Sequence, residues 1–227
     1  MLTPELARLL DPLHLRSWPR PTRKHPVAFV FSRCLGNWEH DPPRNEGLLW
    51  LAADLHRSGL AELVAIPGTG VDRPPDTTTY AGFPVWKRAL LELGVPDPAI
   101  VAVPGAAEHT RAEGDDFVRL AAARGWREAL ILMNPHETLR VMLGLLRSFE
   151  LFGHRLRATP VTPSATDWSR EVYGSQGAHR LPRAHHILEE VRRVLAYQAK
   201  GNLVTLAELD TYYRDELGVD PQRNPTR

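Results

Sequence analysis

The chain has 227 residues, with 28 Lys and Arg against 27 Asp and Glu, so its formal charge at neutral pH is +1. So small a charge provides no bulk attraction to nucleic acid or to an anionic membrane. The single cysteine excludes an intramolecular disulfide framework and a cysteine-based zinc cluster, and it fits a reducing compartment. We therefore expect a small-molecule ligand, no nucleic-acid or membrane partner, and no metal site.

The N-terminal residues resemble neither a signal peptide nor a membrane-spanning helix. No apolar run approaches the roughly 20 residues that cross a bilayer, and Glu5 and Arg8 interrupt the first apolar stretch. We expect a cytoplasmic protein with three parts. Residues 1–26 form a short helix and a basic, proline-rich linker, residues 27–215 form the folded domain, and residues 216–227 form a flexible C-terminus.

Apolar runs of strand length alternate with segments of helical apolar spacing. A continuous run such as VAFVFS suits a strand that is buried on both faces. Glycine follows each predicted helix, as it commonly does just past a helix end. The predicted strands are Val27–Ser32, Glu62–Ile66, Ala99–Val103, Ala129–Met133 and Leu156–Val161, and the predicted helices between them are Asn45–Ser58, Pro84–Leu93, Thr110–Arg124 and Thr138–Phe152.

Five strands that alternate with four helices predict an α/β fold, a doubly wound three-layer sandwich with a five-stranded parallel sheet. After a long predicted loop, Thr162–His179, two C-terminal helices are expected at about 183–199 and 205–214. The apolar stripe of the first tail helix is interpreted as a face packed on its own domain, with a partner surface as the alternative. Ligands of such a sheet bind outside the carboxyl ends of the strands.

The loops after the first two strands carry candidates for anion binding. Arg44 precedes a predicted helix, where a guanidinium could clamp a phosphate or carboxylate, although a solvated arginine is the alternative. Gly68, Thr69 and Gly70 directly follow the second strand. Two glycines there let backbone N–H groups approach an anion, and an ordinary turn explains the same residues.

In the third and fourth loops, the polar residues can be interpreted either as helix caps or as catalytic groups. Thr110 and Glu113 have the spacing of a capping box, and His109 beside them is a candidate general acid or base. Asn134 is predicted to cap the next helix, with Glu137 as its reciprocal partner.

Arg140 lies one turn into that helix, on the same face as Glu137. It either pairs with Glu137 or reaches back over the helix start to hold an anionic ligand. Both alternatives remain open.

Taken in chain order, these segments resemble the YdcF/SanA/ElyC-like family of bacterial proteins, and more closely a soluble, cytoplasmic branch of it. The resemblance is carried by Arg44 before the first long helix, the glycine turn at Gly68, YAGFPVWKRALLELGVP (Tyr80–Pro96), HTRAE (His109–Glu113) and NPHETLR (Asn134–Arg140). It implies a Rossmann-like fold and a ligand pocket formed by these loops. It also implies S-adenosylmethionine as a candidate ligand, because one member of the family binds it; the family's reaction is not settled.

The fourth loop departs from the family's pattern, which is proline, an aromatic residue, histidine, two further residues and arginine. Aligning Pro135 and Arg140 places His136 at the aromatic position and Glu137 at the histidine position. A carboxylate cannot do the work of a neutral imidazole with the same charge. The family's activity is therefore altered or lost here, unless the reversed order of His136 and Glu137 compensates.

Two functions follow as expectations. The first is an enzyme that hydrolyses, or transfers a group from, a phosphorylated or nucleotide-like small molecule; the second is a non-catalytic protein that binds such a molecule or S-adenosylmethionine. The candidate catalytic residues are His109, Glu113, His136 and Glu137, and the candidate ligand-binding residues are Arg44, Gly68, Thr69, Gly70, Thr110, Asn134 and Arg140.

Overall fold

A computed structural model describes residues 18, 20–32, 47–69, 80–105, 109–163, 167–174 and 179–219. Within these ranges, no helix has the length and apolar character needed to cross a membrane. The helix expected near the N-terminus, and Arg44 and Gly70 among the candidate site residues, lie outside the described residues.

Five parallel strands form the central sheet, in the spatial order β3-β2-β1-β4-β5. The strands are β1 (His25–Val30), β2 (Ala61–Pro67), β3 (Ile100–Val103), β4 (Glu128–Leu132) and β5 (Arg157–Val161), and the helices that connect them are α1 (Leu48–Arg57), α2 (Phe83–Glu92), α3 (Thr110–Arg124) and α4 (Thr138–Phe152). Helices cover both faces of the sheet. The predicted α/β fold of Rossmann-like type is therefore confirmed.

The residues of β1 alternate between the two faces of the sheet, and both faces are covered. Phe29, with Phe31 just beyond the strand, faces α3, α4 and the C-terminal helices, where the Phe29 ring stacks on Phe117 with centroids 4.3 Å apart. Ala28 and Val30 face the opposite layer, formed by α1 and α2. Burial on both sides explains why the strand is a continuous apolar run in the sequence.

The chain beyond β5 forms a small hairpin and two helices. The hairpin pairs β6 (Glu171–Tyr173) with β7 (Arg180–Pro182) in antiparallel orientation, and the helices are α5 (His186–Ala199) and α6 (Leu206–Leu217). The expectation of an unbroken loop over Thr162–His179 is therefore wrong. The strands of the hairpin are three residues long and carry no fully buried side chain, so no apolar alternation marks them.

Two features of the tail differ from expectation. The apolar stripe of α5 is split, because Val191 and Val194 are buried whereas Leu188 and Leu195 are exposed. Helix α6 continues past residue 215 to Leu217 and ends at Gly218, which has φ +68.

The segment before β1 packs on the domain. Trp18 is 5% exposed, and its ring lies 5.0 Å from that of Tyr213 on α6. The backbone N–H of Trp18 donates to the Thr162 hydroxyl at 2.9 Å, and the Arg20 guanidinium pairs with Asp54 on α1. These contacts attach residues of the expected linker to both layers of helices.

Helix α6 begins with a capping box. The Thr205 hydroxyl oxygen accepts from the Glu208 N–H at 3.2 Å, and the Glu208 carboxylate accepts from the Thr205 N–H at 2.6 Å. Two N–H groups that have no partner within the helix are satisfied in this way.

Replacing Thr205 with alanine removes the side-chain acceptor of this cap. We expect Thr205→Ala to lower the free energy of unfolding by about 1 kcal/mol, measured by urea denaturation. The control is Thr211→Ala, because the Thr211 hydroxyl lies on the same helix but caps no helix end: it donates to the Ala207 carbonyl one turn earlier and accepts a long hydrogen bond from Arg214. Its change should stay within about 0.5 kcal/mol, and equal losses in the two variants would contradict the capping role.

His25 lies buried at the start of β1. Burial lowers the pKa of its imidazole; the nearby Arg23 guanidinium adds to the effect, and Glu128 opposes it. A histidine whose pKa is lower in the folded state takes up a proton more readily when the chain unfolds. Stability is therefore lost as the pH falls below the ordinary value of 6.5 towards the folded-state pKa.

We expect His25→Gln, which cannot titrate, to lose less of its free energy of unfolding than the wild type between about pH 7.5 and about pH 5.5. Chemical denaturation at the two pH values measures the difference. His185→Gln is the matched control, because His185 is exposed. Identical pH slopes for the wild type and His25→Gln would show that His25 is not responsible.

Candidate functional site

The carboxyl ends of β1 and β4 lie side by side at the centre of the sheet. Phe29 pairs with Ile131 and Val30 with Leu132, and the strand order reverses between these two strands. In open parallel sheets this reversal leaves a crevice between loops that turn to opposite faces. Ser32 follows β1, and Asn134 follows β4, at this edge.

Glu113, on the first turn of α3, joins that helix to the end of β1. Its carboxylate accepts hydrogen bonds from the Ser32 N–H at 2.7 Å and from the Ser32 hydroxyl at 2.6 Å. Glu113 is 5% exposed. The capping box predicted for Thr110 and Glu113 is therefore not formed. The N-cap of α3 is His109, whose Nδ1 accepts from the Ala112 N–H at 3.1 Å.

His109 itself is exposed at the start of α3. Because Nδ1 is the acceptor of the cap, the proton of the neutral imidazole is on Nε2. The ring can therefore cap α3 and still offer its second nitrogen to a ligand.

Tyr80 lies at the end of β2. Its hydroxyl donates to the Pro67 carbonyl at 2.9 Å. Burial raises the pKa of the phenol far above its ordinary value, and the Glu113 carboxylate adds to the shift. Tyr80 therefore remains a neutral hydrogen-bond donor.

Gly68 and Thr69 continue β2 at the same edge of the sheet. The Gly68 N–H donates to the Val103 carbonyl at 2.7 Å, and a Cβ on Gly68 would lie 2.6 Å from that oxygen. Glycine is required here because β2 and β3 approach each other closely. Its N–H is used by the hydrogen bonding of the sheet. The Thr69 carbonyl accepts from the Phe83 N–H at 2.9 Å, which joins this turn to α2.

The loop after β4 begins with a short 3₁₀ turn, Pro135–Glu137, before α4 starts at Thr138. Asn134 precedes the turn as predicted, but its side chain makes no capping hydrogen bond and Glu137 is not its reciprocal partner. Instead, the Asn134 carbonyl accepts from the Glu137 N–H at 3.0 Å. The side chains of His136 and Glu137 are turned inwards, with exposures of 3% and 1%.

Arg140 is the centre of a buried network that connects three helices. Its Nε donates to Oε2 of Glu190 on α5 at 2.5 Å, and its Nη1 donates to the Thr110 hydroxyl on α3 at 2.7 Å. Its Nη2 lies 3.4 Å from Oε1 of Glu190 and 3.8 Å from Oε1 of Glu137. The predicted pairing with Glu137 is thus only the longest of these contacts.

Arg140 and Glu190 both remain ionised. Burial opposes the charge of Arg140, but Glu190 and Glu137 outweigh it and raise the pKa of the guanidinium. Burial also opposes ionisation of Glu190, yet Arg140 and Arg193 lower the pKa of its carboxyl group. Arg193 donates to Oε1 of Glu190 at 2.9 Å, so this carboxylate is held between two guanidinium groups.

A pair of buried histidines extends the network to the hairpin. The rings of His136 and His186 lie 6.0 Å apart. His186 Nε2 is 2.9 Å from the Val172 carbonyl on β6, and its Nδ1 is 3.4 Å from Oε2 of Glu189. The hairpin and α5 are therefore attached to the same region as the loop after β4.

The structure brings together five of the candidate residues, namely Thr110, Glu113, His136, Glu137 and Arg140, and adds Ser32, Tyr80 and Glu190, which were not among the candidates. Ser32 could have been found by its place directly after a predicted strand. Glu190 could not, because it lies 50 residues from Arg140 in the chain. In the described ranges, no group of three or more His, Cys, Asp or Glu residues is placed to hold a metal ion.

The chain matches no protein-family model, no curated protein and no solved structure.

Removing the Ser32 hydroxyl deprives the buried Glu113 carboxylate of one of its donors. We expect Ser32→Ala to lower the free energy of unfolding by about 2 kcal/mol, because hydrogen bonds to charged groups are the strong ones. Ser58→Ala is the matched control, since among the described residues the Ser58 hydroxyl bonds only to the exposed Arg20. The free energy of unfolding of both variants is measured by denaturant unfolding. If Ser32→Ala loses no more of it than the control does, the contact between Ser32 and Glu113 is refuted.

Proposed function

We propose that this chain is a YdcF-like bacterial protein of the cytoplasm that binds a phosphorylated or nucleotide-like small molecule at the carboxyl ends of β1 and β4, and hydrolyses it or transfers a group from it. The observation that carries the proposal is the hydrogen bonding of the Thr110 hydroxyl. Its oxygen accepts a hydrogen bond from Arg140. No residue in the described ranges accepts the hydrogen of that hydroxyl, so this donor is left for a ligand oxygen.

The surroundings of Thr110 favour an oxygen-rich or anionic group. Thr110 is the first residue of α3, and the N-terminus of a helix stabilises negative charge. The bond from the Arg140 guanidinium polarises the hydroxyl and makes it a stronger donor. A phosphate oxygen meets these requirements, and the single cysteine of the chain is consistent with a cytoplasmic location.

In this proposal Glu113 supplies the general base and His109 supplies a hydrogen-bond donor. Glu113 already accepts a hydrogen bond from the Ser32 hydroxyl. It is therefore placed to act as a general base, either for Ser32 or for a water molecule that takes the place of the Ser32 hydroxyl. His109 is neutral while its Nδ1 caps α3, so its Nε2–H would donate a hydrogen bond to an oxygen of the ligand. Both residues border the crevice in which the ligand is proposed to lie.

A second candidate function is the binding of S-adenosylmethionine without catalysis. It is favoured by the position of Glu137, which replaces the histidine of the family resemblance. Glu137 is 1% exposed and lies 3.8 Å from the Arg140 guanidinium. A carboxylate held in this way stabilises a neighbouring cation and is poorly placed to exchange protons with a substrate.

A panel of phosphate esters, nucleotides and S-adenosylmethionine separates the two functions. We expect a ligand to raise the melting temperature of the wild type, because binding to the native state stabilises it. In Thr110→Val the affinity for that ligand should fall about tenfold, measured by calorimetry, since the hydroxyl donor is lost. Thr211→Val, on the distant helix α6, is the matched control and should keep the wild-type affinity.

If the wild type turns over the ligand and Ser32→Ala and Glu113→Gln do so more slowly, the enzymatic function is supported. Heat of binding with S-adenosylmethionine and no turnover would support the second function. If no compound changes the melting temperature at millimolar concentration, both functions are rejected.

A further inference from the structure

Glu190 lies outside the five-stranded sheet and its connecting helices, on the C-terminal helix α5. It nevertheless makes the shortest contact of the proposed site, from Arg140 Nε to its Oε2 at 2.5 Å. Its second oxygen lies 3.4 Å from Arg140 Nη2. The carboxylate thus lies along one edge of the planar guanidinium.

This arrangement determines where the rest of the guanidinium points. The N–H groups of an arginine have fixed directions in one plane, so fixing the edge formed by Nε and Nη2 also fixes Nη1. In this position Nη1 donates to Thr110 at 2.7 Å. A lone pair of the Thr110 oxygen is thereby occupied, and the hydroxyl hydrogen must turn away from Arg140.

The position of Glu190 is itself fixed from the other side. Arg193 donates to Glu190 Oε1 at 2.9 Å, and the Glu190 side chain has an exposure of 7%. Its neighbour Glu189 also pairs with Arg193, but it is 43% exposed, lies against His186 and has no contact with Arg140 among the described residues. The two adjacent glutamates therefore form a natural test pair.

We propose that Glu190 is a positioning residue, which holds Arg140 so that Arg140 orients the Thr110 hydroxyl towards the crevice. The consequence for ligands rests on the proposed function, whereas the effect on Thr110 does not. A merely structural ion pair would dock α5 on the domain and would have no selective effect at Thr110. The two roles are separated by measurements at Thr110 itself.

The first measurement needs no ligand. The Thr110 methyl signal in a spectrum of the methyl-labelled full chain is assigned by its loss in Thr110→Ser. We expect Glu190→Gln to move this signal by more than its line width, because the neutral amide no longer holds the Arg140 edge. Glu189→Gln should leave it in place. If both variants move the signal, or neither does, the proposal is overturned.

The second measurement uses inorganic phosphate as the probe. We expect its dissociation constant to rise about tenfold in Glu190→Gln and to stay within about twofold of the wild type in Glu189→Gln. The double variant Glu190→Gln/Thr110→Val should bind no more weakly than Thr110→Val alone, because Glu190 acts through that hydroxyl. Additive losses in this cycle would overturn the proposal.

If the wild type binds no phosphate, the proposed function fails for phosphate, and the methyl signal alone decides the role of Glu190. If Glu190→Gln does not fold, Glu190→Asp replaces it in both measurements, since it keeps the charge and withdraws the carboxylate by one methylene group. An unmoved Thr110 signal in a folded Glu190→Asp would overturn the proposal, and a moved signal would support it.

Discussion

The buried ion pair between Arg140 and Glu190 is the interaction on which the arrangement of the site depends. Removing either charge from water is costly, and the pair is tolerated because the guanidinium and the carboxylate each have further partners in Thr110 and Arg193. Loss of one partner of such a pair typically costs about 3–5 kcal/mol, because an uncompensated charge remains buried. The network attaches α3, α4 and α5 to one another where the central strands end.

The polar groups at the carboxyl ends of the strands divide into those that hold the fold and those that remain available. The Gly68 N–H is used by the β2–β3 ladder, and the Tyr80 hydroxyl is used by the Pro67 carbonyl. In the part of the chain that the structure describes, no residue accepts the hydrogen of the Thr110 hydroxyl or contacts the second ring nitrogen of His109. This division makes α3, with Glu113 on its first turn, the central element of the proposed site.

Most of the sheet and its helices could be predicted from the sequence, whereas most side-chain partners could not. Apolar periodicity and the glycines that follow the helices predicted α3 and α4 with the observed bounds. Burying one whole face of a helix or strand leaves a strong local pattern in the sequence. The capping box at Thr110 was wrong, because Ser32 competes for the Glu113 carboxylate from another part of the chain. The hairpin β6–β7 was missed because its short strands are not buried enough to leave an apolar pattern.

By itself, the sequence determined the layered α/β class and the edge of the sheet at which polar residues collect, since both follow from local apolar periodicity and from the direction of parallel strands. Only the tertiary structure decided that Arg140 meets Glu190, that Glu113 holds Ser32 and that the Thr110 hydroxyl keeps a donor to offer. Hydrogen bonds and ion pairs between distant segments depend on atomic positions to within a fraction of an ångström. No local sequence pattern encodes positions that are set by the packing of the whole domain.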